Sequence, residues 1–111
     1  MPTLFTKIIQ GEIPATIVYE DAYCVAIDDI APQAPVHVVI FPRAEISGLA
    51  DLPESGDHLW LLNAAKKVAE IKGIAETGYR LVINQGDDGG QSVPHLHAHL
   101  LGGRSLSWPP G

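Results

Sequence analysis

The sequence predicts an α+β fold, with a mostly antiparallel five-stranded sheet, one short helix and one long helix. Short apolar runs separated by turn residues predict the strands, since tight turns join neighbouring strands in antiparallel fashion. A stretch with apolar residues at three- and four-residue steps predicts the long helix. The chain has 111 residues, so residues 1–111 are expected to form a single domain.

The predicted elements are bounded by residues that commonly start or stop them. Thr3 is expected to cap a short helix that Gly11 ends, and Gly73 is expected to end the long helix. Two prolines within residues 28–35 favour a rigid loop between the second and third strands. The five predicted strands are residues 17–19, 23–27, 36–41, 79–84 and 93–101.

The long helix is expected over residues 55–72, with a wide apolar stripe that suits contact with a second subunit. Asp57 near its start and Lys72 near its end suit the helix dipole, and His58 is expected at its surface. The stripe consists of Leu59, Leu62, Ala65 and Ala69, widened by Trp60, Leu61, Val68 and Ile71.

Composition excludes several classes of function. The net charge of −6 argues against a general nucleic-acid binder, which needs a basic face. No apolar run has the length of a membrane span, and the N-terminus does not resemble a signal peptide. A single cysteine, Cys24, lies in an apolar run and is expected to be a buried thiol. These observations predict a cytoplasmic protein that binds neither nucleic acid nor membranes.

Three histidines near the C-terminus, His95, His97 and His99, occupy alternate positions. Successive side chains of a strand point to opposite faces, so the three imidazoles would share one face. Ionisable groups stacked on one face cost stability, which favours a chemical use over a structural role. The intervening residues are apolar and are expected to face the core: Leu96, Ala98 and Leu100.

Two chemical interpretations of the histidines compete. A His-x-His pair on a strand can supply two zinc ligands, with a third from His37, His58 or an acidic side chain. Alternatively, an imidazole nitrogen attacks phosphorus and forms a covalent intermediate that water resolves. The loop Gly89-Gly90-Gln91-Ser92 directly precedes the histidines and favours the second interpretation, because glycines allow backbone N–H groups to approach phosphate oxygens.

The sequence also carries a family resemblance. Residues 89–104, GGQSVPHLHAHLLGGR, resemble the signature of the histidine-triad (HIT) family, His-φ-His-φ-His-φ-φ, where φ is apolar. Residues 4–9, 12–15, 29–37 and 108–111 resemble its Hint branch, the purine nucleoside phosphoramidases. The resemblance implies a HIT-like fold in which the sheets of two subunits join across a homodimer. It also implies hydrolysis of P–N bonds in purine nucleoside 5′-phosphoramidates of the AMP or GMP type, without a metal or other cofactor.

The resemblance assigns catalytic roles to four histidines and one serine. His97 would be the nucleophile, and His99 would donate a hydrogen bond to the phosphate or the leaving atom. His95 and His37 would form a supporting hydrogen-bond relay behind them. Ser92 would contact the phosphate or the departing amine.

Substrate binding follows from the same resemblance. Asp29 would accept hydrogen bonds from the ribose hydroxyls, and Asn84 would help to orient the phosphate and ribose. Gly90 and Gln91 belong to the loop whose backbone would hold the phosphate, while Trp108 would reach the partner's active site. The apolar slot for the base would be lined by Leu4, Phe5, Ile8, Ile27 and Ile30.

Two residues depart from the pattern of the family. Asp28 stands where many relatives carry a basic or aromatic residue beside the base, and Pro94 stands where many carry an aromatic residue. Pro94 removes one N–H from the histidine strand.

Three other functions stay open. They are a dinucleoside polyphosphate hydrolase, a nucleotide-binding or scaffolding module, and a zinc-binding structural protein.

Overall fold

The computed structural model describes residues 2–54 and 59–111 and contains five strands. The strands are β1 (Ile17–Glu20), β2 (Cys24–Asp28), β3 (Val36–Pro42), β4 (Tyr79–Ile83) and β5 (Ala98–Gly102). Two α-helices, α1 (Leu4–Ile9) and α2 (Leu59–Ile71), and a short 3₁₀ turn (Leu49–Asp51) complete the described elements. The strands form one sheet in the order β1-β2-β3-β5-β4, with every neighbouring pair antiparallel. The predicted α+β class is therefore confirmed.

Helix α1 begins where the sequence predicts. The Thr3 hydroxyl accepts a hydrogen bond from the Thr6 N–H at 3.1 Å, which satisfies one of the free N–H groups of the first turn. The helix ends at Ile9, and Gly11 follows with a φ of 78°, in the left-handed region that glycine adopts readily. Phe5 and Ile8 on its buried side hold α1 against the sheet.

Helix α2 packs on the opposite face of the sheet with one side of the predicted stripe. Its buried residues are Leu61, Ala64, Ala65, Val68 and Ala69. Leu59, Leu62 and Ile71 belong to the same predicted stripe but are 62%, 50% and 56% exposed in the single chain, so the stripe divides into a buried side and an exposed side. The helix carries apolar residues on two sides, and only packing against β1, β2 and β3 decides which side is buried. The predicted start at Ser55, with Asp57 and His58, lies outside the described residues.

The sheet separates two hydrophobic clusters. Along β2, Cys24 and Ala26 face the larger cluster under α2, while Val25 and Ile27 face a smaller cluster under α1. Cys24 is fully buried, as predicted, and burial raises its pKa to about 12, so the thiol stays protonated. No described helix has the length and apolar character needed to cross a membrane.

Strand β5 starts later than predicted. The prediction placed it at 93–101, whereas the ladder begins at Ala98. Pro94 has no N–H to give to the ladder, and the N–H of Leu96 donates to the carbonyl of Ile46 in a loop. His95 and His97 therefore precede the strand, although Leu96 still packs in the cluster under α2 as predicted.

Candidate active site

A cleft of about 240 Å³ opens between α1, the end of β2 and the histidine segment. Its walls are mostly apolar, with a few polar groups at one end, as is typical of small-molecule sites. Nine of the predicted site residues line it: Leu4, Phe5, Ile8, Ile27, Asp29, Ile30, Ser92, His97 and His99. Ile8 and Ile27 are buried, whereas Ile30 is fully exposed at the rim.

His97 is held in one tautomer by the backbone. Its Nδ1 lies 2.7 Å from the carbonyl oxygen of His95. A carbonyl can only accept, so Nδ1 carries the hydrogen of the neutral ring and the lone pair lies on Nε2. The imidazole is 4% exposed and packs against the ring of Phe5 at a centroid distance of 5.0 Å. The ring is thus fixed in position with a basic nitrogen available for chemistry.

A second hydrogen-bonded pair fixes the tautomer of His99. The Gln33 N–H donates to His37 Nδ1 at 3.1 Å, so the neutral His37 ring carries its hydrogen on Nε2. That nitrogen lies 2.9 Å from His99 Nδ1, which must accept. His99 therefore carries its own hydrogen on Nε2, as a donor in a ring that lines the cleft.

Several causes lower the pKa of His99. Burial is the largest, and the neighbouring His97 and His37 act in the same direction, against the opposite effect of Asp29. A lowered pKa favours the neutral ring near pH 7, in agreement with the tautomers derived from the hydrogen bonds. His99 thus presents an N–H without a full positive charge beside His97.

Asp29 is positioned by its own loop and by β3. Its Oδ1 accepts from the Ala31 N–H at 2.8 Å, and its backbone N–H donates to the His37 carbonyl at 3.0 Å. The other carboxylate oxygen lies 3.5 Å from His37 Nε2. Each carboxylate oxygen can accept more than one hydrogen bond, so the group retains capacity to bind hydroxyls in the cleft.

Asp29, His37 and His99 also form a group that could ligate a metal, with their ligand atoms all within 4.8 Å of one another. Two imidazole nitrogens and a carboxylate suit zinc. However, His37 Nε2 and His99 Nδ1 share the hydrogen described above, and a metal between them must displace it. Metal binding and the hydrogen bond from His37 Nε2 to His99 Nδ1 are therefore alternatives at one place.

His95 is separate from the other histidines, contrary to the expectation that it joins His37 in one relay. Its ring is fully buried between edge contacts to Phe5 and Phe41. Nε2 lies 2.8 Å from the Pro42 carbonyl, and Nδ1 lies 2.8 Å from the Thr3 hydroxyl. Because His95 lies before the strand begins, its ring meets α1 and the end of β3 instead of His37. Burial lowers its pKa, with His97 acting in the same direction and the Pro42 carbonyl and Glu45 opposing.

The glycine-rich loop is braced by two side-chain amides. Asn84 donates to the Gly89 carbonyl at 2.7 Å, and Gln91 accepts from the Gly86 N–H at 3.0 Å. A Cβ at Gly89 would collide with the backbone carbonyl of Gln85, so this position requires glycine. The amides of Asn84 and Gln91 therefore shape the loop, and Ser92 is the residue of residues 89–92 that lines the cleft.

Six predicted site residues do not line the cleft of the described chain: the supporting histidines His37 and His95, and four others. Asn84, Gly90 and Gln91 belong to the braced loop or its flank, with Gly90 at a φ of 77°. Trp108 is 81% exposed on the C-terminal tail. Its predicted contact is with a second subunit.

The cleft is also lined by four apolar residues for which no role was predicted: Ile13, Pro14, Ala15 and Val93. Apolar side chains carry no chemical signature, and only their position shows that they border the cleft. Asp28 also borders it, but its carboxylate lies 2.8 Å from Lys72 at the end of α2. This ion pair directs the unusual carboxylate toward a lysine.

An antiparallel sheet that presents a backbone-anchored histidine and its hydrogen-bonded neighbours at an apolar cleft defines a histidine-triad protein. A family model described as the HIT domain matches residues 10–106, and the chain belongs to this family. A 14 kDa zinc-binding protein of Zea mays is 52% identical over 114 residues, covering 99% of this chain and 88% of the relative.

Solved structures agree with this assignment. A HIT family hydrolase from Legionella pneumophila is 51% identical and superposes with a TM-score of 0.92, covering 97% of this chain and 98% of the other. A histidine triad nucleotide-binding protein from Candida albicans is 32% identical, with a TM-score of 0.82, and the match covers 96% and 82% of the two chains.

Proposed function

We propose that the protein is a nucleotide hydrolase that cleaves the P–N bond of purine nucleoside 5′-phosphoramidates through a covalent nucleotidyl-histidine. The observation that carries this proposal is the 2.7 Å hydrogen bond from His97 Nδ1 to the His95 carbonyl, which leaves the lone pair on Nε2. The similarity to a HIT family hydrolase supports hydrolysis, and the similarity to a histidine triad nucleotide-binding protein supports a nucleotide as the substrate.

In the first step, His97 Nε2 attacks the α-phosphorus and an N–P bond forms as the P–N bond of the substrate breaks. The substrate nitrogen departs as a protonated amine, with the Ser92 hydroxyl and the His99 N–H as donors in the cleft. Positive charge develops on the His97 ring, so the hydrogen bond from Nδ1–H to the His95 carbonyl strengthens during attack. Water then attacks phosphorus, releasing the nucleoside monophosphate and neutral His97.

The base and ribose would occupy the remainder of the cleft. The apolar walls formed by α1 and the end of β2 suit the faces of a purine ring, with Phe5 and Ile27 on the buried side. Asp29 would accept hydrogen bonds from the ribose hydroxyls. The leaving group of the substrate would then lie outside the apolar walls of the cleft.

The direct test is to assay the wild-type protein with adenosine 5′-phosphoramidate and with diadenosine polyphosphates, in the presence of EDTA. We expect turnover of the phosphoramidate and a much lower rate with the polyphosphates. The reverse preference would favour a dinucleoside polyphosphate hydrolase, and no turnover of either would favour a binding module. Stoichiometric zinc in protein purified without added metal would contradict the metal-free mechanism and favour the Asp29–His37–His99 group as a metal site.

The Asp29→Asn variant is expected to raise KM for the ribonucleoside phosphoramidate about 5- to 20-fold, because an amide loses the charge that strengthens hydrogen bonds from the ribose. The matched control is the 2′-deoxy substrate, for which the change in KM should be smaller. Steady-state kinetics with both substrates measure the difference. An equal effect on both would show that Asp29 does not contact the 2′-hydroxyl.

We also propose that the protein acts as a homodimer joined along the free edge of β4. In the described chain, β4 pairs with β5 on one side only, and Tyr79 at its start is 41% exposed. Leu59 and Leu62 add exposed apolar surface on α2. A second copy would cover these groups and continue the sheet.

Deleting residues 105–111 should change substrate selectivity more than it changes the free energy of unfolding. Trp108 is 81% exposed in the single chain, so its removal costs little packing, whereas the proposed dimer brings it to the partner's cleft. Kinetics with phosphoramidates of different leaving groups measure the selectivity, and light scattering gives the oligomeric state. Unchanged kinetics, or a monomeric wild type, would contradict the role of the tail.

A further inference from the structure

A chain of side-chain hydrogen bonds connects the buried His95 to an exposed carboxylate outside the cleft. His95 Nδ1 lies 2.8 Å from Thr3 Oγ1, and Thr3 Oγ1 lies 3.1 Å from Thr6 Oγ1. The Thr6 hydroxyl in turn donates to Glu45 Oε1 at 2.8 Å. Both threonines are buried, whereas Glu45 is exposed. The contacts form a continuous path from His95 to the surface.

When His95 is neutral and Glu45 is ionised, the hydroxyls of Thr3 and Thr6 supply fewer hydrogens than the path has contacts. His95 Nε2–H donates to the Pro42 carbonyl, so Nδ1 must accept the hydrogen of Thr3. Thr6 gives its single hydroxyl hydrogen to Glu45. The contact between the two threonine oxygens is then left without a hydrogen.

One added proton fills every contact, and it can reside at either end. If the proton is on Glu45, the carboxyl donates to Thr6, Thr6 to Thr3, and Thr3 to His95 Nδ1. If the proton is on His95 Nδ1, that nitrogen donates to Thr3, Thr3 to Thr6, and Thr6 to the ionised Glu45. The two arrangements differ only in hydrogen positions, so no heavy atom has to move.

We propose that Thr3 and Thr6 form a proton path between Glu45 and His95, and that Glu45 is a positioning residue for the reaction at His97. A proton enters at Glu45 Oε1, each threonine hydroxyl accepts one hydrogen and passes on another, and a proton arrives at His95 Nδ1. The path lies behind His97, whose Nδ1–H donates to the carbonyl of His95. The role in catalysis rests on the proposed function, whereas the path itself does not.

Some neighbours of His95 disfavour its charged form and others favour it, and Glu45 is among those that favour it. Burial against Phe5 and Phe41 disfavours an imidazolium, as does the neighbouring His97. Glu45 and the Pro42 carbonyl favour it. A cation on His95 would oppose the positive charge that develops on His97 during attack. Protonation through this path therefore lowers activity on the acid side of the pH profile.

The test follows the titration of the His95 ring by ¹⁵N NMR in the full chain without substrate. Glu45→Gln removes the charge, and Thr6→Val cuts the path while keeping the charge and the Thr3 helix cap. Thr6→Ser retains a hydroxyl as the matched control, and Glu76→Gln removes an exposed carboxylate elsewhere. We expect a lower His95 pKa in Glu45→Gln and in Thr6→Val, with the two controls close to wild type.

Each other result of this titration overturns the path. An unchanged His95 pKa in both variants would show that Glu45 and His95 are not coupled, and a shift in Glu45→Gln alone would show an effect through space. Thr6→Ala deletes the same hydroxyl without added bulk if Thr6→Val does not fold. Because the titration needs no turnover, its failure is distinguishable from failure of the proposed hydrolase activity.

The pH profile of phosphoramidate hydrolysis tests the positioning role. With the His95 pKa lowered, the acid limb of kcat/KM should shift to lower pH in Glu45→Gln and Thr6→Val and stay in place in Thr6→Ser. A purely structural role would lower the rate at every pH by the same factor. If the pKa of His95 shifts in these variants but the acid limb of kcat/KM stays in place, the positioning role is overturned.

Discussion

The His97→Ala variant is expected to lose kcat/KM for adenosine 5′-phosphoramidate by on the order of 10⁴-fold or more, because it removes the nitrogen that forms the covalent bond to phosphorus. In the native ring, the hydrogen bond to the His95 carbonyl and the contact with Phe5 hold Nε2 ready for attack. Steady-state kinetics at saturating and subsaturating substrate measure the loss. Activity equal to wild type would exclude His97 as the nucleophile.

A chemical rescue sharpens this test. The His97→Gly variant leaves space for an added imidazole, whose nitrogen can attack phosphorus in place of the missing side chain. We expect imidazole to restore part of the activity of His97→Gly and to have no such effect on the wild type. Thermal unfolding curves that match the wild type would show that the loss is chemical and not a failure to fold. Rescue without formation of a nucleotidyl-imidazole product would contradict the covalent step.

Replacing Phe41 with alanine should reduce the free energy of unfolding by about 3–5 kcal/mol, the usual cost of deleting a buried phenyl ring. Phe41 is completely buried on β3 and stacks on Phe5 of α1 at a centroid distance of 4.4 Å. Its edge contact with His95 also supports the ring behind the nucleophile. Denaturant unfolding followed by circular dichroism gives the free energy directly.

Phe41→Leu is the matched control for this variant, since leucine fills much of the same space and leaves a smaller cavity. We expect a smaller loss of stability in Phe41→Leu. A loss below about 1 kcal/mol in Phe41→Ala would show that the small cluster under α1 contributes little to folding. It would also show that α1, which carries Phe5 and the Thr3 cap, is held to the sheet by other contacts.

Most of the architecture follows from local patterns in the sequence. Four of the five strands occur where short apolar runs predict them, and Thr3 caps α1 as expected. The alternation of histidines with apolar residues correctly places Leu96 and Leu100 in the core under α2. These features depend on neighbours within a few residues, so sequence spacing is enough to predict them.

Features that depend on contacts between distant parts of the chain were predicted less well. The ladder of β5 begins at Ala98 instead of residue 93, because the N–H of Leu96 bonds to Ile46, fifty residues earlier in the chain. Helix α2 buries Leu61 and exposes Leu62, since the sheet contacts only one of its two apolar sides. Spacing alone does not distinguish such alternatives, and packing does.

The sequence by itself determined that three histidines follow a glycine-rich loop and alternate with core residues. Only the tertiary structure decided what each ring does. Antiparallel pairing of β3 with β5 sets Val39 opposite His99, which brings His37, two residues away, within 2.9 Å of it. His95 instead bonds to Thr3 and Pro42, and its carbonyl sets the tautomer of His97. The tautomer and pKa of an imidazole depend on its hydrogen-bond partners and burial, and folding supplies both from distant parts of the chain.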